Sequence, residues 1–460
     1  MTALTASAPT GTELLMTFYG DDFTGSTDVM ETLEDAGVPT VLFLAPPTAE
    51  QVAAHPEARA IGVAGISRTM TPAQMDAQLP EILDGLAELG APIFHYKICS
   101  TFDSSPAVGS IGHAAELVRR RFPGTAMPLV IGVPQLGRWT AFGTLFAAFR
   151  GAVYRLDRHP TMTEHPMTPM HESDLRRHLT AQTDLPLDLV DIRQLDGDDP
   201  EVDQRVDTAL ADAEGIVVLD VDDLASQRQV GRALDRLIAR ARAAERPVAV
   251  IGSSGVQYAL AAAWGASGIA AALPVRPATQ TLVIAGSRGP ATAAQVAEAR
   301  RHGFAEVTVD AVAVTRDATA SAAQDDVARR AVAALAGGGH VLVSTPPKGG
   351  TPVDGTALAT ALGAIARRIA DAADIPRLVV AGGDTSGLVA RALGVTALRL
   401  VRRLAPGAPL CRAVSDDPRI DGLELCLKAG QIGGPDYLIH LAGLGTEPTA
   451  RQPPERNTRS

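Results

Sequence analysis

Short apolar runs rich in β-branched residues recur along the chain, and longer amphipathic stretches separate most of them. The runs fall at 15–19, 40–44, 60–66, 93–99, 129–133, 216–221 and 248–252, with helix-like segments such as 27–36, 111–121 and 230–244 between them. Strands that alternate with helices predict a parallel sheet covered by helices on both faces. Near-continuous apolar runs, rather than alternating ones, agree with strands buried on two sides. The pattern breaks at 272–280 (ALPVRPATQ), where two prolines and a charge read as a linker. It restarts at 281–285, 307–309, 341–344, 378–381, 398–401 and 438–441. The expected fold class is therefore α/β in two domains, each a mostly parallel sheet flanked by helices, with the active site in the inter-domain cleft. One domain spans 14–275 and the other 281–445. Residues 1–13 read as a disordered N-terminus and 446–460 as a flexible tail.

Composition narrows the function. The net charge of −11 argues against a nucleic-acid partner or a basic membrane surface. Cys99, Cys411 and Cys426 form no CxxC pair and leave an odd count, which suits a reducing cytoplasm better than a disulfide scaffold. The apolar stretch 259–273 is broken by Gly265, Ser267 and Gly268 and falls short of the roughly 20 residues a membrane span needs. Of 41 basic residues only Lys97, Lys348 and Lys428 are lysine. Where arginine serves as the generic cation, a surviving lysine suggests a role for a compact point charge.

Ligands of open α/β sheets bind beyond the carboxyl ends of strands. In the first domain these ends read Gly20-Asp21-Asp22-Phe23-Thr24-Gly25-Ser26, Ser67-Arg68, Lys97 through Ser105, and Gly252-Ser253-Ser254-Gly255. Each alone is an ordinary turn or cap. Together they offer acids and hydroxyls for a polyol, and Lys97 and Arg68 for a carboxylate or phosphate. In the second domain the ends read Gly286-Ser287-Arg288-Gly289-Pro290, Thr345 through Gly350, and Gly382 through Gly387, with a further loop at Lys428-Ala429-Gly430. Two glycine turns that open helices suit a nucleotide phosphate chain. No lysine follows a glycine, so there is no P-loop, and no Gly-x-Gly-x-x-Gly follows a strand. His159, His165, His171 and His178, in the long irregular stretch 157–174 and the helix after it, have spacings that suit no single helix face.

The motifs YGDDFTGSTD (19–28), YKICSTFDSS (96–105), HPMTPMHESDL (165–175), AGSRGPAT (285–292), AGGDTSG (381–387) and LKAGQIGGPDYL (427–438) resemble, in order and spacing, those of the four-carbon acid sugar kinases. That family includes D-threonate, D-erythronate and 3-oxo-tetronate kinases, and the resemblance spans residues 14–445. It implies an N-terminal acid-sugar domain and a C-terminal nucleotide domain. It also implies ATP-dependent phosphorylation of a hydroxyl, the terminal one, of a four-carbon sugar acid. A larger sugar acid, or a non-catalytic metabolite-binding role, is the alternative. The expected catalytic acid is Asp22, then Asp21, either of which could instead serve magnesium, as could Asp384. Arg68, Lys97, Ser100, Thr101 and Asp103 are expected on the substrate, and Ser287, Gly382, Gly383, Asp384, Thr385 and Gly430 on ATP. The expected cofactors are ATP and Mg²⁺, and the expected partners are the small-molecule acid and ATP, with a homo-oligomer left open. Two departures from the family pattern stand out: Gly289-Pro290 where Ser-Pro is usual, with Arg288 at a normally small position, and Phe102-Asp103-Ser104-Ser105-Pro106 where Arg-Gly-Asn is usual.

Overall fold

A computed structural model describes residues 13–124, 126–165, 167–266, 276–287, 289–316, 320–346, 353–405 and 407–444. The expected N-terminal and C-terminal segments, residues 272–275 of the linker, Arg288, Lys348 and the side chain of Asp384 lie outside the described residues. The strands, in chain order, are β1 (Met16–Gly20), β2 (Thr40–Phe43), β3 (Ala60–Ala64), β4 (Ile93–Lys97), β5 (Met127–Val130), β6 (Arg138–Ala141), β7 (Thr144–Phe149), β8 (Ala152–Arg155), β9 (Leu187–Val190), β10 (Ile216–Leu219), β11 (Val248–Gly252), β12 (Leu282–Ala285), β13 (Ala305–Thr308), β14 (Val341–Ser344), β15 (Arg377–Ala381), β16 (Val395–Ala405), β17 (Ala408–Ser415) and β18 (Glu424–Lys428).

The chain forms two compact units, Met1–Ala271 with Thr396–Val401, and Ala272–Val395 with Arg402–Ser460. The sheet of the first runs β16-β2-β3-β1-β4-β11-β5-β10-β9. All its pairs are parallel except β16 on β2, where Ala397 faces Phe43 and Arg399 faces Val41. The run at 398–401, expected in the second domain, is thus an edge strand of the first unit. Its pairing satisfies backbone groups that β2 would otherwise leave bare. β1 sits between β3 and β4, so the chain's order reverses there and a crevice opens at the strand ends.

The second unit orders its strands β13-β14-β12-β15-β18-β17, parallel up to β18 and antiparallel between β18 and β17. One face buries Val283, Ala285, Val379, Ala381 and Cys426 with Phe304, Tyr437 and Leu438. The run 438–441, expected as a strand, is part of the helix Tyr437–Ala442, closed by Gly443 at φ +75. A short apolar run has no periodicity to separate helix from strand, and the left-handed glycine decides it.

β6, β7 and β8 form a separate antiparallel sheet inside the first unit. The turns Phe142-Gly143 (φ 52 and 74) and Arg150-Gly151 (φ 48 and 84) place two successive residues at positive φ, the geometry that matches strand twist in a two-residue hairpin. Among the described residues no helix is long and apolar enough to cross a membrane.

Candidate functional site

The parallel register carries the first unit's polar strand ends to one edge, since Gly20 pairs with both Ala64 and Lys97, and Lys97 with Gly252. Asp22 caps the helix Phe23–Asp35 by accepting from Gly25 N at 2.9 Å. Arg68 donates to both oxygens of Asp21 (3.1 and 2.7 Å) and to Asp22 Oδ1 (2.8 Å). Its backbone N–H also meets Asp21 O, and Asp21 N meets Lys97 O. Lys97, 3% exposed, donates to Ile98 O at 2.8 Å. A Cβ on Gly25 would lie 2.5 Å from both Lys97 Nζ and Asp22 Oδ1, so glycine at this helical position keeps space for the lysine and the acid. Thr101 donates to Asp103 at 2.7 Å, and Ser100 is half-buried in the loop after β4.

Burial pushes the Asp21 carboxyl above its ordinary value; Arg68 opposes that and Asp22 adds to it. Burial alone would lower the Arg68 guanidinium, but Asp21 and Asp22 hold it well above its usual value and charged. Asp22 is the more accessible acid, with 27% side-chain exposure against 5% for Asp21. Burial, then Asp103, raises the Cys99 thiol to about 11, so it stays neutral.

Sequence reasoning missed Arg138, at the start of β6. Its Nη1 donates to Leu136 O and Gly137 O, and its Nε is buried without a partner among the described residues. Burial lowers it, while Cys99 and Asp103 oppose that. The hairpin turn Phe142-Gly143 was the available signal for this element.

In the second unit, Gly286 N and Ser287 N both donate to Ala381 O, which sets the Ser287 turn against the Gly382 turn. Cβ atoms on Gly286 and Gly382 would lie 2.6 and 2.8 Å from Thr385 Oγ1, and one on Gly430 2.1 Å from Ser287 Oγ. Ser287, Gly382, Thr385 and Gly430 are therefore brought together. Gly382 has φ +142, so the turn's conformational demand falls on it; Gly383 has ordinary geometry and open space around its Cβ position. Thr292 donates to Gly430 O (2.8 Å), and Gln295 Nε2 lies 3.0 Å from the carbonyls of Ile432, Gly433 and Gly434, fixing the glycine loop.

Most described helices carry a side-chain cap, but those after Ser254, Gly289, Gly382 and Asp436 do not. Asp22, Thr71, Ser110, Asp174, Asp223, Asp310 and Asp354 each cover their helix's first donors with a side chain. Gly289 and Gly382 do not, which leaves Pro290–Arg301 and Gly383–Ala392 with N-termini able to receive an anion.

The histidines are not brought together: His159 and His165 bond Thr161 and Thr168, and His178 bonds Ser104. Among the described residues no three His, Cys, Asp or Glu side chains form a metal-holding group. A cavity of about 610 Å³ opens at the opposite, amino ends of β5 and β11, lined by Phe122, Met127, Leu210 and Val248. Its Arg119 and Arg246 already donate to backbone carbonyls.

The family models "Sugar-binding N-terminal domain" and "Nucleotide-binding C-terminal domain" match residues 16–260 and 282–438. The chain is 45% identical to a 3-oxo-isoapionate kinase of Paraburkholderia graminis over 91% of this chain and 92% of that one. It is 33% identical to a 3-oxo-tetronate kinase of Methylobacterium radiotolerans, over 91% and 96%. Among solved structures, Haemophilus influenzae protein HI1011 superposes with a TM-score of 0.71 at 22% identity, covering 93% of this chain and 99% of that one.

Proposed function

This chain is a member of the four-carbon acid sugar kinase family, and on that premise we propose that it transfers the γ-phosphoryl group of ATP to the terminal hydroxyl of a small sugar acid, giving a 4-phosphate. The observation that carries the proposal is the meeting of Ser287, Gly382, Thr385 and Gly430 around two helix N-termini that lack side-chain caps. Backbone donors there suit phosphate oxygens, and the absence of a Cβ lets them approach.

Magnesium enters this reading with the nucleotide, as Mg-ATP, since phosphate oxygens are its usual ligands and few carboxylates are needed. Lys97 pairs with the substrate carboxylate as a buried point charge. Ser100, Thr101 and Asp103 bond the substrate's hydroxyls. Asp22 accepts the proton of the attacking hydroxyl, because it is the more accessible of the two acids. Arg68 serves by holding Asp21 and Asp22 in place rather than by binding the carboxylate itself. The similarity to a 3-oxo-isoapionate kinase puts that acid first among acceptors, ahead of the 3-oxo-tetronates and of threonate and erythronate. A coupled assay of ADP release with each acid tests the reading. Acid-dependent release above the no-acid rate supports it, and none with any acid overturns it.

A further inference from the structure

Lys428 ends β18, directly beside the proposed nucleotide turns. It pairs in register with Ala381, and its carbonyl accepts from Gly382 N at 2.9 Å. Register partners in parallel strands project to the same face, so the lysine side chain shares a face with Ala381, Cys426 and Tyr437. Its Nζ lies 6.0 Å from the centre of the Tyr437 ring. That ring lies under Gly433, where a Cβ would come within 2.6 Å of it. The ammonium group thus sits beneath the loop that carries Gly430 against Ser287.

The side chain is 0% exposed, and Nζ has no hydrogen-bond partner among the described residues. A buried ammonium without a counter-charge is strongly unfavourable. The aromatic ring offsets only part of that. Burial draws the group down to about 8, with Cys426 opposing. The Lys428 backbone lies against the Gly382 turn, which bonds to the Ser287 turn; both lead into helix N-termini with no side-chain cap, beside a glycine loop clamped by Gln295. Where arginine fills almost every other cationic position, a lysine at this one supplies a compact point charge in place of a guanidinium fork.

We propose that Lys428 is a phosphate-contacting residue of the nucleotide site, and that a phosphate oxygen of bound ATP or ADP supplies the counter-charge its ammonium lacks. The inference rests on the nucleotide reading above and adds the cation that reading did not include.

The test compares wild type with Lys428→Met and Lys428→Gln by calorimetric titration with Mg-ATP, Mg-ADP and adenosine, and by thermal melts with and without Mg-ADP. Both variants should lose at least about tenfold in affinity for Mg-ADP and Mg-ATP, as loss of a charge-assisted bond implies. Adenosine affinity should change less than twofold. The ligand-free melting temperature of Lys428→Met should equal or exceed that of wild type, because an unpaired buried charge has been removed. Wild-type-like Mg-ADP affinity in a folded variant overturns the inference alone. A lowered ligand-free melting temperature with equal losses for adenosine and ADP overturns it in favour of a structural role. A wild-type protein that binds no nucleotide overturns the nucleotide reading and this inference together.

Discussion

Arg68 donates from Nε and Nη2 to both carboxylate oxygens of Asp21, and the same Nη2 reaches Asp22 Oδ1 at 2.8 Å. One guanidinium thereby bridges two neighbouring acids at the end of β1 and fixes their separation. Without it, Asp21 would be a buried carboxylate beside a second negative charge. Arg68→Met is expected to destabilise the protein by about 3 kcal/mol, the usual consequence of breaking a buried pair from one side. Arg68→Lys should recover less than half of this, since lysine cannot make the two-pronged contact. Denaturant unfolding measures both, and an Arg68→Met variant as stable as wild type would show that the pair is not held against desolvation.

Lys97 is expected to act on the acid and not on the nucleotide. Lys97→Ala should raise KM for the sugar acid roughly tenfold to a hundredfold, the loss of one charge-assisted bond. KM for ATP should stay within twofold. A collapse of ATP affinity with normal acid binding would contradict the assignment.

Adjacent glycines should behave differently. Gly382 has φ +142 and a Cβ there would meet Thr385 Oγ1 at 2.8 Å, so Gly382→Ala should lower stability by about 1–2 kcal/mol. Gly383 has open space around it, so Gly383→Val should fold and melt like wild type while losing nucleotide binding. Melting curves with and without Mg-ADP separate the two. Normal nucleotide titration of the folded Gly383→Val protein would count against the phosphate turn.

Asp220 is fully buried and accepts from Gly143 N at 3.1 and 3.2 Å, which ties the hairpin turn to β10. Burial pushes its carboxyl up from 3.8 to about 7, although bonds from Gly143, Phe142 and Thr140 pull the other way. The folded state therefore keeps a proton that the unfolded chain releases near 3.8. The stability this provides is complete below about pH 4 and is lost as pH rises through 7. Against Asp220→Asn, which cannot titrate, wild type should lose up to about 4 kcal/mol over that window. Parallel pH profiles for the two proteins would place the carboxyl's ionisation elsewhere.

The parallel strands and the polar residues at their ends were legible because burial on both faces makes such strands continuous apolar runs, and register then forces their ends together. This is why Asp21, Arg68 and Lys97, far apart in sequence, meet at one edge. The antiparallel pieces were harder to read. β6–β8 are half-exposed, so polar residues interrupt their apolar pattern, and the same holds for the parallel edge strand β9 (LDLV). β17 and β18 are separated by a turn with three Asp and one Pro, and β16 pairs with β2 through Ala397–Arg399, far away in the sequence. Sequence alone could flag Lys428 as an unusual lysine. Only packing showed that its ammonium is buried without a hydrogen-bond partner among the described residues.

The measurement that bears most directly on the kinase reading is phosphorus NMR of the product formed from Mg-ATP with 3-oxo-isoapionate, 3-oxo-tetronates, threonate or erythronate. The expected result is acid-dependent formation of ADP and a new phosphate monoester whose phosphorus couples to a CH₂ group, as a terminal 4-phosphate requires. Coupling to a secondary carbon would contradict the terminal site. No new monoester and no ADP above the no-acid control with any of these acids would contradict the phosphorylation of small sugar acids by this protein.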